Sequence, residues 1–253
     1  MFSQVGDTCF RLGESFRFIL RVLFSFPRRR EHFKGVVRQI YALGNQTLLI
    51  ILVAGGFIGM VITLQGYISL ENFGASSEIG GLTAYSIYRE LGPVVTALLF
   101  AGRVGSLLAS EVGLMQINEQ FTCLEMMAIN ANRLVLFPRM LAVVISVPVL
   151  NILFCLSAVM SSYLICTESL GVAPGVFWNS LEYNTLFIQD VLHGVSKSFI
   201  FGVIIGWVAL YQGMYTEKSR IGLAKATTSA VVSSSLYILA IDYIFTALAR
   251  SFL

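Results

Sequence analysis

Five stretches of this chain are each long and apolar enough to cross a bilayer as a helix, and that limits its fold more than any other feature. They run from about Thr47 to Leu70, Thr83 to Ser110, Met140 to Ile165, Val191 to Gln212 and Thr227 to Leu248. A helix needs roughly 20 apolar residues to span the hydrocarbon core. Hydrophobic residues make up 56% of the chain and charged residues 12%, with a mean hydropathy of +0.78. A water-soluble domain carries about twice that charged fraction. The expected fold is therefore an all-α polytopic membrane protein, with five transmembrane helices preceded by an N-terminal interfacial amphipathic helix.

That first helix falls in residues 1–38 and is read from charge spacing. Asp7, Arg11, Glu14, Arg17 and Arg21 recur at three- and four-residue steps, while Val5, Phe16, Ile19, Leu20 and Leu23 take the other side. Such a helix suits the membrane interface. It ends near Pro27, before the basic run Arg28-Arg29-Arg30. Arg17 and Arg21 interrupt the apolar stretch and no small-residue cleavage site follows, so a signal peptide is not expected. A partly inserted hairpin or a first spanning helix is the competing reading.

Lysine and arginine set the orientation. Arg11, Arg17, Arg21, Arg28, Arg29, Arg30, Lys34 and Arg38 precede the first span. Arg133 and Arg139 separate spans two and three, and Lys218, Arg220 and Lys225 separate spans four and five. The connections 71–82 and 166–190 hold acids but no Lys or Arg. This predicts a cytoplasmic N-terminus and an outer C-terminus, with Arg250 the one exception. The net charge of +3 is thus topological and does not point to nucleic acid. Cys9, Cys123, Cys155 and Cys166 lack metal-ligand spacing and read as packing residues.

Small residues predict close helix packing: Gly55 and Gly59, Gly202 and Gly206, and the four-residue series Ala97, Ala101, Gly105 and Ala109. Charges inside the spans need partners or water. Arg89 and Glu90 lie six or seven residues inside span two; Lys197 and Asp242 lie about six inside spans four and five. All four fall roughly 10 Å below the outer end. Either they neutralise one another as a salt-bridge network, or they line a polar pocket for a charged headgroup whose tails lie on apolar walls.

The segment at about 111–132 carries Leu114, Ile117, Phe121, Leu124 and Met127 or Ala128 at helical spacing, with Glu119 and Glu125 off that stripe. It reads as a short amphipathic helix. Acidic charge and methionine suit a protein partner better than a lipid surface. The chain contains no phosphate loop, dinucleotide fingerprint, zinc-protease motif or nucleophile elbow. It is expected to be a non-enzyme with no metal or cofactor of its own.

Arg-Glu-Leu-Gly-Pro-Val, then Ala-Leu-Leu and Ala-Gly-Arg-x-Gly-Ser, occupy 89–106, followed by Glu111-x-Gly113-x-Met115 and Glu119-Gln120. With Gly59-Met60-Val61, Leu64-Gln65-Gly66-Tyr67 and Pro138-Arg139, this pattern resembles the MlaE (YrbE) permease family. The likeness runs from about residue 35 to the end, so residues 39–253 are expected to form an MlaE-type permease domain. It implies the membrane subunit of an ABC transporter that maintains outer-membrane lipid asymmetry from a Gram-negative inner membrane. The family's complex pairs two permease copies with two MlaF-like ATPases, which hold ATP and magnesium. An MlaB-like STAS-domain protein binds the ATPases, and an MlaD-like MCE-domain hexamer sits on the periplasmic side. The implied substrate is glycerophospholipid. The resemblance assigns Arg89, Glu90, Lys197, Leu70, Phe73 and Asp242 to a lipid cavity. It assigns Glu111, Gly113, Met115, Glu119, Gln120 and Glu125 to ATPase coupling. An ion- or proton-coupled secondary transporter and a structural membrane anchor are the alternatives.

Overall fold

The computed structural model describes residues 13–15, 17–18, 22, 31–185 and 187–251. Every regular element among them is helical. In chain order these are α1 (Glu31–Glu71), α2 (Ile79–Ser86), α3 (Gly92–Phe100), α4 (Ser106–Ile117), α5 (Gln120–Met126), α6 (Phe137–Glu168), α7 (Pro174–Asn184), α8 (Phe187–Met214) and α9 (Arg220–Ser251). Among the described residues, five helical stretches are long and apolar enough to span a membrane: Gly35–Glu71, Ser76–Ile117, Asn132–Glu168, Ile188–Met214 and Arg220–Leu248. Each contains one expected span whole.

Span two is one helical path made of pieces. Between α2 and α3, and again between α3 and α4, the helix widens into π turns at Ile87–Leu91 and Ala101–Gly105. A third wide turn, Asn132–Leu136, leads into α6. Two of the three have a cause in the sequence. Proline has no N–H to donate, and its ring presses on the carbonyl four residues back. Pro93 and Pro138 each sit two residues past a wide turn. The N–H just before each proline reaches five residues back instead, Gly92 to Ile87 and Phe137 to Asn132.

The described residues fall into two compact units. Unit one draws on 1–43, 101–144 and 203–237, and unit two on 44–100, 145–202 and 238–253. In unit one, Phe18, Val22, Val112, Phe121, Leu136, Met140 and Leu210 are buried together. Most of the expected interfacial helix lies outside the described residues: Val5, Asp7, Arg11, Phe16, Ile19, Leu20, Arg21, Leu23, Pro27 and Arg28 to Arg30. Of its described part, Glu14 and Arg17 are exposed as expected. Ser15, Phe18 and Val22 are buried against protein, and the indole N–H of Trp207 donates to the Ser15 carbonyl at 2.9 Å.

In unit two, α1 lies backbone-close to α6. A Cβ on Gly55 would come 2.8 Å from the Phe154 carbonyl oxygen, and one on Gly59 would collide with that of Ala158. Hydroxyls tie the two helices, Ser157 to the Leu52 carbonyl at 2.6 Å and Ser162 to that of Gly59 at 3.1 Å. The small-residue series of span two is likewise inward, with Ala97, Ala101, Gly105 and Ala109 all buried.

The connection 166–190 is more structured than an acidic loop. Pro174 opens α7, a favourable first position for proline. The Ser180 hydroxyl accepts the Gly81 N–H at 3.0 Å, and the Asn184 amide donates to Glu78 at 2.5 Å.

Candidate functional site

The intramembrane charges of unit two resolve into two ion pairs. Arg89, in the first wide turn, places Nε 2.6 Å from Oδ1 of Asp190, whose side chain is only 2% exposed. Its Nη1 donates to the Tyr85 hydroxyl at 3.1 Å, and the guanidinium lies 4.6 Å from that ring's centre. Lys197, 1% exposed, donates from Nζ to Asp242 at 2.9 Å and to the Thr246 hydroxyl at 2.8 Å. The Phe245 ring covers the same ammonium at 5.7 Å. One helix, α8, supplies Asp190 and Lys197, seven residues apart and so on one face.

This corrects the expected grouping of four charges. Arg89 pairs with Asp190, a residue assigned from sequence to the loop before span four. Glu90 is exposed and joins neither pair. The signal for Asp190 was its seven-residue spacing from Lys197, hidden because the apolar run begins only at Val191. Between them on α8, His193 stacks edge-on against Phe245 at 5.2 Å, and among the described residues neither ring nitrogen has a hydrogen-bond partner. Leu70 and Phe73 close α1 and the turn after it. Leu70 is half-buried, and Phe73 is 85% exposed in a turn capped by Gly74 at φ +69°. An apolar cavity of about 280 Å³ in the same unit is lined by Tyr88, Asn151, Cys155, Leu156, Trp178 and Val195.

The segment 111–132 is not one amphipathic helix. The chain breaks after α4, where Glu119 takes a left-handed φ of 57°, and α5 is a separate seven-residue piece. The break turns Phe121 into the core and leaves Leu114 and Met127 exposed, so the expected single stripe is split. Glu111 pairs with Arg139 at 3.3 Å. Gly113 is buried beneath Leu223, and Met115 packs against the core of unit one. Glu119 pairs with Lys218 at 2.9 Å across an exposed surface, and the ammonium holds its carboxyl below the ordinary carboxylate range. That contact persists above the ordinary range and is lost as pH falls through the lowered value. Gln120 and Glu125 face outward beside Met126 and Met127, which are 76% and 61% exposed.

Five apolar spans with charges paired inside them define a polytopic helical membrane protein that holds ion pairs within an apolar interior. The profile of the MlaE permease family matches residues 36–248. The intermembrane phospholipid transport system permease protein MlaE of Haemophilus influenzae is 44% identical over 245 residues, covering 97% of this chain and 94% of that protein. A probable ABC transporter permease protein of Rickettsia bellii is 33% identical over 255 residues, covering 97% and 96%. Another from Synechocystis is 33% identical over 228 residues, covering 90% and 86%. The chain belongs to the MlaE permease family.

Proposed function

We propose that this chain is the membrane subunit through which an ABC transporter moves glycerophospholipid between the inner membrane and a periplasmic carrier. The observation that carries the reading, beside family membership, is the fully buried Lys197 held by Asp242 within apolar spans. Ionisable groups at such depth are retained for function by default. Arg89 with Asp190 would supply a second point of charge for the headgroup, and the apolar cavity beside Tyr88 supports room for tails.

Energy would come from a partner. ATP and magnesium belong in this reading to a cytoplasmic ATPase subunit, and the chain itself is no enzyme. Gln120, Glu125, Met126 and Met127 would dock on that ATPase. Glu111 and Glu119 would hold the docking surface from within through Arg139 and Lys218. The full assembly would contain two copies of this chain, two ATPases, a STAS-domain subunit and a periplasmic MCE-domain hexamer. The N-terminus would be cytoplasmic and the C-terminus periplasmic, a reading the Lys and Arg distribution supports.

Both ion pairs are also satisfied within the chain, which favours a second reading in which they only stabilise the bundle. Proteoliposomes carrying the complex separate the two. Lys197→Met with Asp242→Leu removes both charges together, the change that costs a buried pair least. We expect an assembled complex that hydrolyses ATP but no longer transfers fluorescent phospholipid. Full transfer by that variant would leave only the structural role. Transfer driven by an ion gradient without ATP would instead support a secondary transporter.

A further inference from the structure

Unit one contains a second cavity, of about 540 Å³, that none of the preceding roles uses. Its walls include Trp207, Tyr211, Tyr215 and Tyr237, and its charged lining residues are Glu14 and Glu217. Among the described residues no lysine or arginine lines it. We propose that this cavity binds the ammonium group of a zwitterionic phospholipid, of the phosphoethanolamine or phosphocholine class.

Aromatic faces attract a cation through their quadrupole, and tryptophan and tyrosine do so best. Trp207 and Tyr237 lie parallel, 6.3 Å between centres, while Tyr211 and Tyr215 lie 4.7 Å apart. These rings are fixed before any ligand arrives. The Ser15 carbonyl holds the indole N–H, and Phe18 meets Tyr211 and Tyr215 edge-on at 5.9 and 6.3 Å. A preorganised wall loses less freedom on binding. Among the described residues the lining charge has one sign. Lys218, next in sequence to Glu217, is committed to Glu119, and among the described residues no ion pair holds Glu14 or Glu217. Gln212 and Ser233 also line the cavity and offer neutral donors for a phosphate. Two carboxylates beside aromatic rings favour a cation and repel a purely anionic headgroup.

The occupant is a lipid because spanning helices supply most of the cavity's lining: Trp207, Val208, Tyr211 and Gln212 from α8, Ser233 and Tyr237 from α9. Val232 and Leu236 of α9 flank the lining residues Ser233 and Tyr237 and are 53% and 62% exposed. Acyl chains can lie on that face while the headgroup enters the aromatic wall. A plain interfacial aromatic belt would account for tyrosine and tryptophan at a helix end, but not for a cavity with two acids. The inference rests on the chain lying in a bilayer and stands apart from whether it moves lipid.

The full-length chain in nonionic detergent tests it. Trp178→Phe leaves Trp207 as the single tryptophan of the two in the sequence. Short-chain phosphatidylethanolamine and phosphatidylcholine should each change its emission saturably. Phosphatidylglycerol of the same chain length should bind at least about fivefold more weakly, the scale of one cation–π contact. Tailless phosphocholine should also bind more weakly than the lipid. Glu217→Gln and Tyr237→Leu should each weaken binding by about fivefold with the thermal midpoint unchanged. Should Tyr237→Leu fail to fold, the exposed Glu217→Gln decides alone. Equal affinity for phosphatidylglycerol, no saturable response, or variants that bind like the parent would overturn the proposal. Equal affinity for phosphocholine would overturn the placement of the tails.

Discussion

At the residue scale, burial decides which half of an ion pair matters more. Removing one partner of a buried pair is severe because it leaves the other charge uncompensated. Asp190 is 2% exposed and Arg89 is 23% exposed. Arg89→Met therefore strands the deeper charge, while Asp190→Asn strands one that water partly reaches. Arg89→Met should cost about 3 kcal/mol and Asp190→Asn roughly half of that, with the double variant recovering most of the loss. Chemical unfolding of the detergent-solubilised protein, run as a double-mutant cycle, measures the asymmetry; equal losses would refute it. Arg89, Lys197 and Asp242 were legible in the sequence because a charge inside an apolar run stands out. Asp190 was not, because at the edge of a run a loop acid and a buried acid look alike.

At the scale of elements, the spans were legible and their internal irregularities were not. Hydropathy finds a helix because lipid forces backbone groups to bond within the segment, and all five expected spans lie inside observed ones. Hydropathy is blind to a widened turn, although Pro93 and Pro138 marked two of them. It was equally blind to the left-handed Glu119, where the break separates Leu114, left exposed, from Phe121, which is buried. Glycine spacing carried more information than the pattern alone promised. Gly59→Ala would set a methyl against a backbone carbonyl that no rotamer can move. It should lower stability by about 1–3 kcal/mol, the cost of overpacking a close contact. Gly56→Ala, whose nearest neighbour is the Ser157 hydroxyl at 3.7 Å, should leave stability unchanged. Thermal unfolding of the two variants side by side checks the contrast.

At the scale of the whole molecule, the spans differ in how much of themselves they cover. The most apolar window of span three is 61% buried, whereas those of spans one and five are 28% and 11% buried. Spans one and five thus keep apolar faces for lipid or for a second copy of the chain. The Lys and Arg distribution predicts an orientation that is directly measurable. Cys123 is exposed in the connection between spans two and three. With Cys9→Ser in place, an impermeant maleimide should label Cys123 only after the membrane is opened. A cysteine placed at Glu182 should label in intact spheroplasts. The reverse pattern would invert the topology. The three wide turns of spans two and three, finally, bear on how such a chain tolerates changes in length. Losing one residue from a continuous α-helix turns everything beyond it by about 100° and misplaces every buried face. A wide turn already holds one residue more than an α-turn, so a deletion there closes it and leaves both flanks facing as before. At Ile87–Leu91 and Asn132–Leu136 closure would drive a proline ring onto a carbonyl. Of these three turns, Ala101–Gly105, with no proline behind it, can give up a residue freely.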